Sequence, residues 1–183
     1  PPLHFSIFQA PPLGSFFTEM GIIVLNLCTE EADLMMTFNY SCRKKIRKAI
    51  NEGLTVEFDN RYFEDFYSLY KSLHQKQGIY YDSKEEIKNM MDCLGKDSCI
   101  IGVTKKDDQI LAALFVLFAQ KEAYAYYAGS KDSHHHGVNY LLQFEMMKWL
   151  KQRGIERMCM GGFRPGDNAG TKYEGIQNFK LGF

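Results

Sequence analysis

The stretch from Glu122 to Phe163 constrains the fold more than any other, because it reads strand, loop, helix, strand. In EAYAYYAGS a period of two puts Tyr124 and Tyr126 on one face and Ala123, Ala125 and Tyr127 on the other. KDSHHHGVN is a polar breaker containing a glycine. YLLQFEMMKWLKQRG sets Leu142, Met146, Trp149 and Leu150 on one side. It ends in Lys151, Gln152 and Arg153 and stops at Gly154, the pattern of an amphipathic helix with a basic last turn and a glycine cap. IERMCMGGF is a short apolar strand. Two strands joined through a long helix form a parallel crossover, which places this stretch in a mixed α/β sheet.

What precedes it completes the sheet. Ser98–Thr104 and Gln109–Ala119 read as two strands joined at Asp107 and Asp108. ILAALFVLFA is apolar on both faces, so it is expected to lie centrally and buried. A turn at Gln120 and Lys121 leads into the tyrosine strand, which makes a three-stranded antiparallel meander. Earlier still, Ile22–Leu27 is an apolar strand, and Thr29 caps a helix that runs through Leu34, Met35 and Phe38. Leu54–Phe58 is a strand, Asp59 or Asn60 caps a helix carrying Phe63, Phe66, Tyr70 and Leu73, and Ser83 with Glu86 forms a capping box. Residues 1–21 hold four of the five prolines together with Phe5, Phe8, Phe16 and Phe17, and read as an irregular aromatic arm that packs on something. Residues 22–183 read as one domain.

Ser41–Gly53 is a helix of unusual charge. Cys42, Ile46, Ala49 and Ile50 form its apolar face; Arg43, Lys44, Arg47 and Lys48 cover the other, with Lys45 on the flank. That face suits either solvent or a phosphate. The charge of the whole chain decides nothing more, since Lys plus Arg and Asp plus Glu are 22 each and set up no global field toward nucleic acid or membrane. No apolar run reaches the length of a membrane span. Five cysteines without CxxC spacing, and no basic stretch ahead of an apolar run at the start, lead to the expectation of a cytoplasmic protein with reduced thiols. His134, His135 and His136 are adjacent and lack a spaced carboxylate or cysteine, which favours a polar loop near phosphates over a metal site.

Four pieces, in order, resemble one superfamily: TFNYSCRKKIRKAINEGLTVE, the strand end YYAGS, the run NYLLQFEMMKWLKQRGIERMCMGG and the terminal GIQNFKLGF. The order of elements is similar to that of GNAT-type N-acyltransferases, and the details resemble the Fem-type branch, aminoacyltransferases that build peptidoglycan cross-bridges. The resemblance spans Leu25 to Phe183 and implies the second of two tandem domains, with the arm as a seam to a preceding domain or to a second copy. It implies a GNAT-like fold with a splayed parallel strand, and transfer of an aminoacyl or acyl group onto an amine of a phosphate-bearing cell-envelope precursor. The donor would be a charged tRNA or a coenzyme-A thioester. Coenzyme-A users carry Gln or Arg, two residues, Gly, one residue, Gly or Ala before the helix. Here the stretch is HHHGVN and Gly137 alone fits, in keeping with the tRNA-using branch, while Asn139 looks like a helix cap.

The resemblance also assigns roles. Lys180, of the Phe-Lys pair, would stabilise negative charge developing on the acyl oxygen. Phe179 would meet the acyl end, and backbone N–H groups around Tyr126 and Tyr127 would face the acyl oxygen. Ser130, His136 and Asn139 would line the donor path, and Arg43, Lys44, Arg47 and Lys48 would hold phosphates. The pair Gly161–Gly162 at a strand end marks close approach of a ligand or of another backbone. Cys159 stands where the family often has Asp and reads as a wall thiol. Two alternatives remain: a coenzyme-A-dependent N-acetyltransferase for an aminosugar or other small amine, and a non-catalytic half that binds or pairs.

Overall fold

The computed structural model describes residues 21–131, 137–163 and 170–183. The expected arm up to Met20 and the run His134–His136 lie outside the described residues. One six-stranded sheet carries β1 (Gly21–Asn26), β2 (Thr55–Phe58), β3 (Cys99–Lys106), β4 (Gln109–Ala119), β5 (Glu122–Ser130) and β6 (Arg157–Phe163) in the order β1-β6-β5-β4-β3-β2. Neighbours pair antiparallel except β5 and β6, which are parallel. The crossover read from the sequence is therefore present, and the strand apolar on both faces lies inside the sheet. Ala112, Leu114 and Val116 face one core cluster; Ala113 and Phe115 face the other.

Helices cover both faces. α2 (Tyr40–Asn51) and α5 (Val138–Lys151) pack on one side, α3 (Phe63–Gln77) and α4 (Lys84–Leu94) on the other. The short α1 (Glu31–Leu34) joins the first layer, and α6 (Lys172–Lys180) lies at the end of the chain. α5 buries Val138, Leu141, Leu142, Phe144, Met146, Met147 and Leu150. That is wider than the single apolar stripe expected, because the helix is sandwiched between the sheet and α2.

Two caps differ from the reading of the sequence, and a third, on α2, falls on a residue the reading did not name. Thr29 does not cap α1, whose cap position is Glu30; the Thr29 hydroxyl oxygen is buried and has no partner among the described residues. Asn39 caps α2 by accepting from Cys42 N at 2.8 Å. Gly137, not Asn139, is the cap residue of α5. The Ser83–Glu86 capping box is formed as expected. Ser83→Ala removes one half of it, and is expected to cost about 1 kcal/mol, or about 2–4 °C in a thermal melt.

β1 closes the sheet from far away in the chain. Gly21 pairs with Phe163 and Asn26 with Arg157, so the first described strand braces β6. All five cysteines are free, and burial pushes the Cys42 thiol up to about 12. Among the described residues no helix is long and apolar enough to cross a membrane.

Candidate active site

β5 and β6 pair from Glu122 with Arg157 to Tyr124 with Cys159, and then part. β5 runs on to Ser130 and β6 to Phe163 as the two arms of a fork. Each arm carries an irregularity where the fork opens. On β5, Phe115 faces Tyr127 while Val116 faces Ala125, so Tyr126 is an extra residue outside the ladder. On β6, Ile22 faces Gly162 while Val24 faces Cys159, and Gly161 has φ 82°. That left-handed backbone suits glycine and strains any residue with a side chain. Such bulges bend their strands and sharpen the local twist, which keeps the arms from closing on each other.

The Tyr126 bulge also changes which way the tyrosines face. Period-2 counting puts Tyr127 beside Ala123 and Ala125. In the structure those alanines face α5, whereas Tyr127 packs in the opposite cluster against Tyr70, ring centroids 4.8 Å apart. Its hydroxyl donates to the Asp82 carboxylate. Tyr124 and Tyr126 are both 40% exposed, their rings 5.6 Å apart.

Between the arms lies a cleft of about 800 Å³. Ala125 to Ser130 of β5 form one wall, Met160 of β6 another, and the start of α5 supplies Asn139, Tyr140 and Gln143. α6 closes it with Gly175, Ile176, Phe179 and Lys180. Asn139 Nδ2 donates to Ser130 Oγ at 3.4 Å across the mouth.

Lys180 is half-buried at the end of α6. Its Nζ donates to Gly162 O at 2.9 Å and lies 3.5 Å from where a Cβ on Gly161 would be. The Tyr124 hydroxyl is 3.7 Å from that same point. Burial holds the Lys180 pKa below the ordinary lysine value, opposed by the Cys159 sulfur. Cys159 is itself half-buried and accepts from Gly161 N at 3.4 Å. The ammonium therefore sits against the bulged arm of the fork.

Of the residues singled out in the sequence, Tyr126, Tyr127, Ser130, Asn139, Phe179 and Lys180 line one cleft. Gly161 and Gly162 meet its lysine. The basic helix does not come with them as a set. Arg43 donates to Met36 O at 3.3 Å and Phe38 O at 2.7 Å, tying down the turn before α2. Lys48 pairs with Glu52 at 3.6 Å, while Lys44 and Arg47 are exposed. Lys45, placed on the flank, is the cation that reaches the cleft wall: its Nζ is 2.9 Å from the Tyr140 hydroxyl. His136 lies outside the described residues.

Residues 37–180 match the family model described as an acetyltransferase (GNAT) domain. No curated protein matches the sequence. Among solved structures, FemX superposes with a TM-score of 0.79 at 17% identity, over 91% of this chain and 59% of that one. L-PGS from Bacillus licheniformis gives 0.54 at 16% identity, over 90% of this chain and 54% of that one. A protein from Clostridium acetobutylicum described as a predicted acetyltransferase, solved with acetyl-CoA, gives 0.53 at 14% identity, over 71% and 89%. At these identities the likeness is one of fold, and the chain spans about three fifths of FemX and about half of L-PGS.

Proposed function

Because the chain belongs to the acetyltransferase (GNAT) domain family, we propose that it transfers an aminoacyl or acyl group from a donor laid in the fork to an amine of a cell-envelope precursor. The observation that carries this reading is the open fork with the Lys180 ammonium on its bulged arm. The acceptor amine attacks the acyl carbonyl, a C–N bond forms, and the carbonyl oxygen takes up negative charge. Lys180 and the backbone N–H groups around the Tyr126 bulge offset that charge. Donors fixed in advance around an oxyanion often make the largest single contribution to such a reaction. Collapse of the intermediate breaks the bond to the donor and expels its hydroxyl or thiol. The amine's proton leaves to water or to the departing group.

The peptidoglycan assignment is supported by the Fem-type motifs and by the fold likeness to FemX. Lys44 and Arg47, exposed on α2, suit phosphates of the donor or acceptor. Residues 22–183 would form the acyltransferase domain, and the arm would be its seam to a second domain or copy. The coenzyme-A reading is favoured by one observation: the Clostridium protein, solved with acetyl-CoA, is covered over 89% of its length.

One experiment separates the readings. The full chain is given a charged tRNA or acetyl-CoA, with a peptidoglycan precursor or an aminosugar, and transfer is scored by mass spectrometry. Aminoacyl transfer to the precursor is the expected result. Transfer from acetyl-CoA alone would replace the tRNA reading. Binding of neither donor would leave a domain that only binds or pairs.

A further inference from the structure

Gln143 is an unusual residue for its place. Among the described residues the buried polar positions are Thr104, at 0% exposure, and Gln143, at 3%. Thr104 is satisfied, its hydroxyl donating to Val138 O at 3.3 Å. Gln143 is different, because its Nε2 donates to Met158 Sδ at 3.4 Å, and a thioether is a weak acceptor. Its neighbours Leu141, Leu142 and Phe144 are all buried and apolar. A leucine or methionine would fill this place without bringing in an amide that must be kept satisfied.

The position explains the amide better than packing does. Gln143 is part of the cleft wall, one helical turn below Asn139. Met158, which it touches, pairs with Ala123, one pair before the fork opens. The amide is therefore set where the two arms meet, while Ala113, Leu114, Ala125, Leu142 and Met160 give the cleft its apolar lining. A glutamine offers two N–H donors and a carbonyl with two lone pairs. One N–H goes to sulfur, and the amide has further donor and acceptor capacity that a group entering the cleft can use.

We propose that Gln143 selects the acyl group, favouring one that carries its own amine or hydroxyl near the carbonyl over a plain acetyl group. An ammonium on the acyl group would donate to the amide oxygen, and a hydroxyl could accept from the remaining N–H. This rests on the reading of the fork as a donor site. A cleft built to hydrogen-bond a substituent discriminates against the analogue without it, because the buried polar group is then left unmatched.

The test uses four stable probes, the amine analogues 3′-amino-3′-deoxyadenosine and aminopantetheine, each carrying a glycyl or an acetyl group through an amide. Each is titrated calorimetrically into the full chain. On whichever carrier binds, the glycyl form is expected to bind the wild type about tenfold more tightly than the acetyl form. Gln143→Met should bring that ratio to about one while the melting temperature stays level or rises. Gln143→Glu, which keeps an acceptor of the same reach, should retain the preference. A ratio near one in the wild type overturns the proposal, and needs no variant. A ratio unchanged in Gln143→Met overturns it too, while leaving the donor site intact. If none of the four probes binds, the donor reading fails and the proposal falls with it.

Discussion

Lys180→Ala is expected to lower kcat by about 10²- to 10³-fold while the fold survives. The side chain is half-buried at a helix end, and its contact is to one carbonyl, Gly162 O at 2.9 Å. Its removal should leave the melting temperature within about 2 °C. The loss should fall on kcat with donor KM nearly unchanged, since the interaction strengthens as charge develops on the carbonyl oxygen. The ionisation of Lys180 gives a second readout. Burial holds its folded pKa below the unfolded value. Between those two values the unfolded chain binds more protons, so this group makes stability rise with pH across that window and fall as pH drops through the folded value. On the proposed mechanism activity runs the other way, because the ammonium is the form that would meet the oxyanion. The kcat profile should therefore turn down at a pH lower than an ordinary lysine would give, and Lys180→Arg should move that limb upward. A Lys180→Ala rate within about threefold of wild type would remove Lys180 from the chemistry.

Gly129→Ala carries the largest expected effect on stability. A Cβ on Gly129 would fall 2.4 Å from Tyr70 N, 2.5 Å from Leu69 C and 2.8 Å from Leu69 O. All three are backbone atoms of α3, so no rotamer change relieves the contact. Overpacking commonly costs about 1–3 kcal/mol, and the rigid neighbours put this site at about 3 kcal/mol. Thermal melting should show a drop of about 6–12 °C. Donor binding should weaken as well, because Gly129 is also part of the cleft wall. An unchanged melting temperature would mean that α3 slides along the sheet without cost.

Features written in local chemistry were legible. The Ser83–Glu86 box, the tight turn at Asp107, the buried central strand and the parallel crossover each follow from a few adjacent residues. The bulge at Tyr126 did not follow, because counting by twos assumes that every residue has a partner on β4. The helix wheel of α2 shows which cations share a face, but not that Arg43 is spent on Met36 and Phe38 while Lys45 turns to Tyr140. Nor does it reveal Gln143, whose setting depends on a strand that arrives later in the chain. α6 could have been read. Thr171 accepts from Tyr173 N at 3.3 Å and Glu174 accepts from Gly170 N at 2.8 Å, and threonine followed three residues later by glutamate is a recognised helix start.

The bracing of β6 by β1 has a consequence for how the molecule comes into being. The meander and its helices are contiguous and can collapse while synthesis continues, whereas β6 must find a partner that left the ribosome long before it. Pairings so distant along the chain form late. The nascent protein therefore holds an unsatisfied strand in waiting, and the fork between β5 and β6 is braced only once β1 and β6 have met.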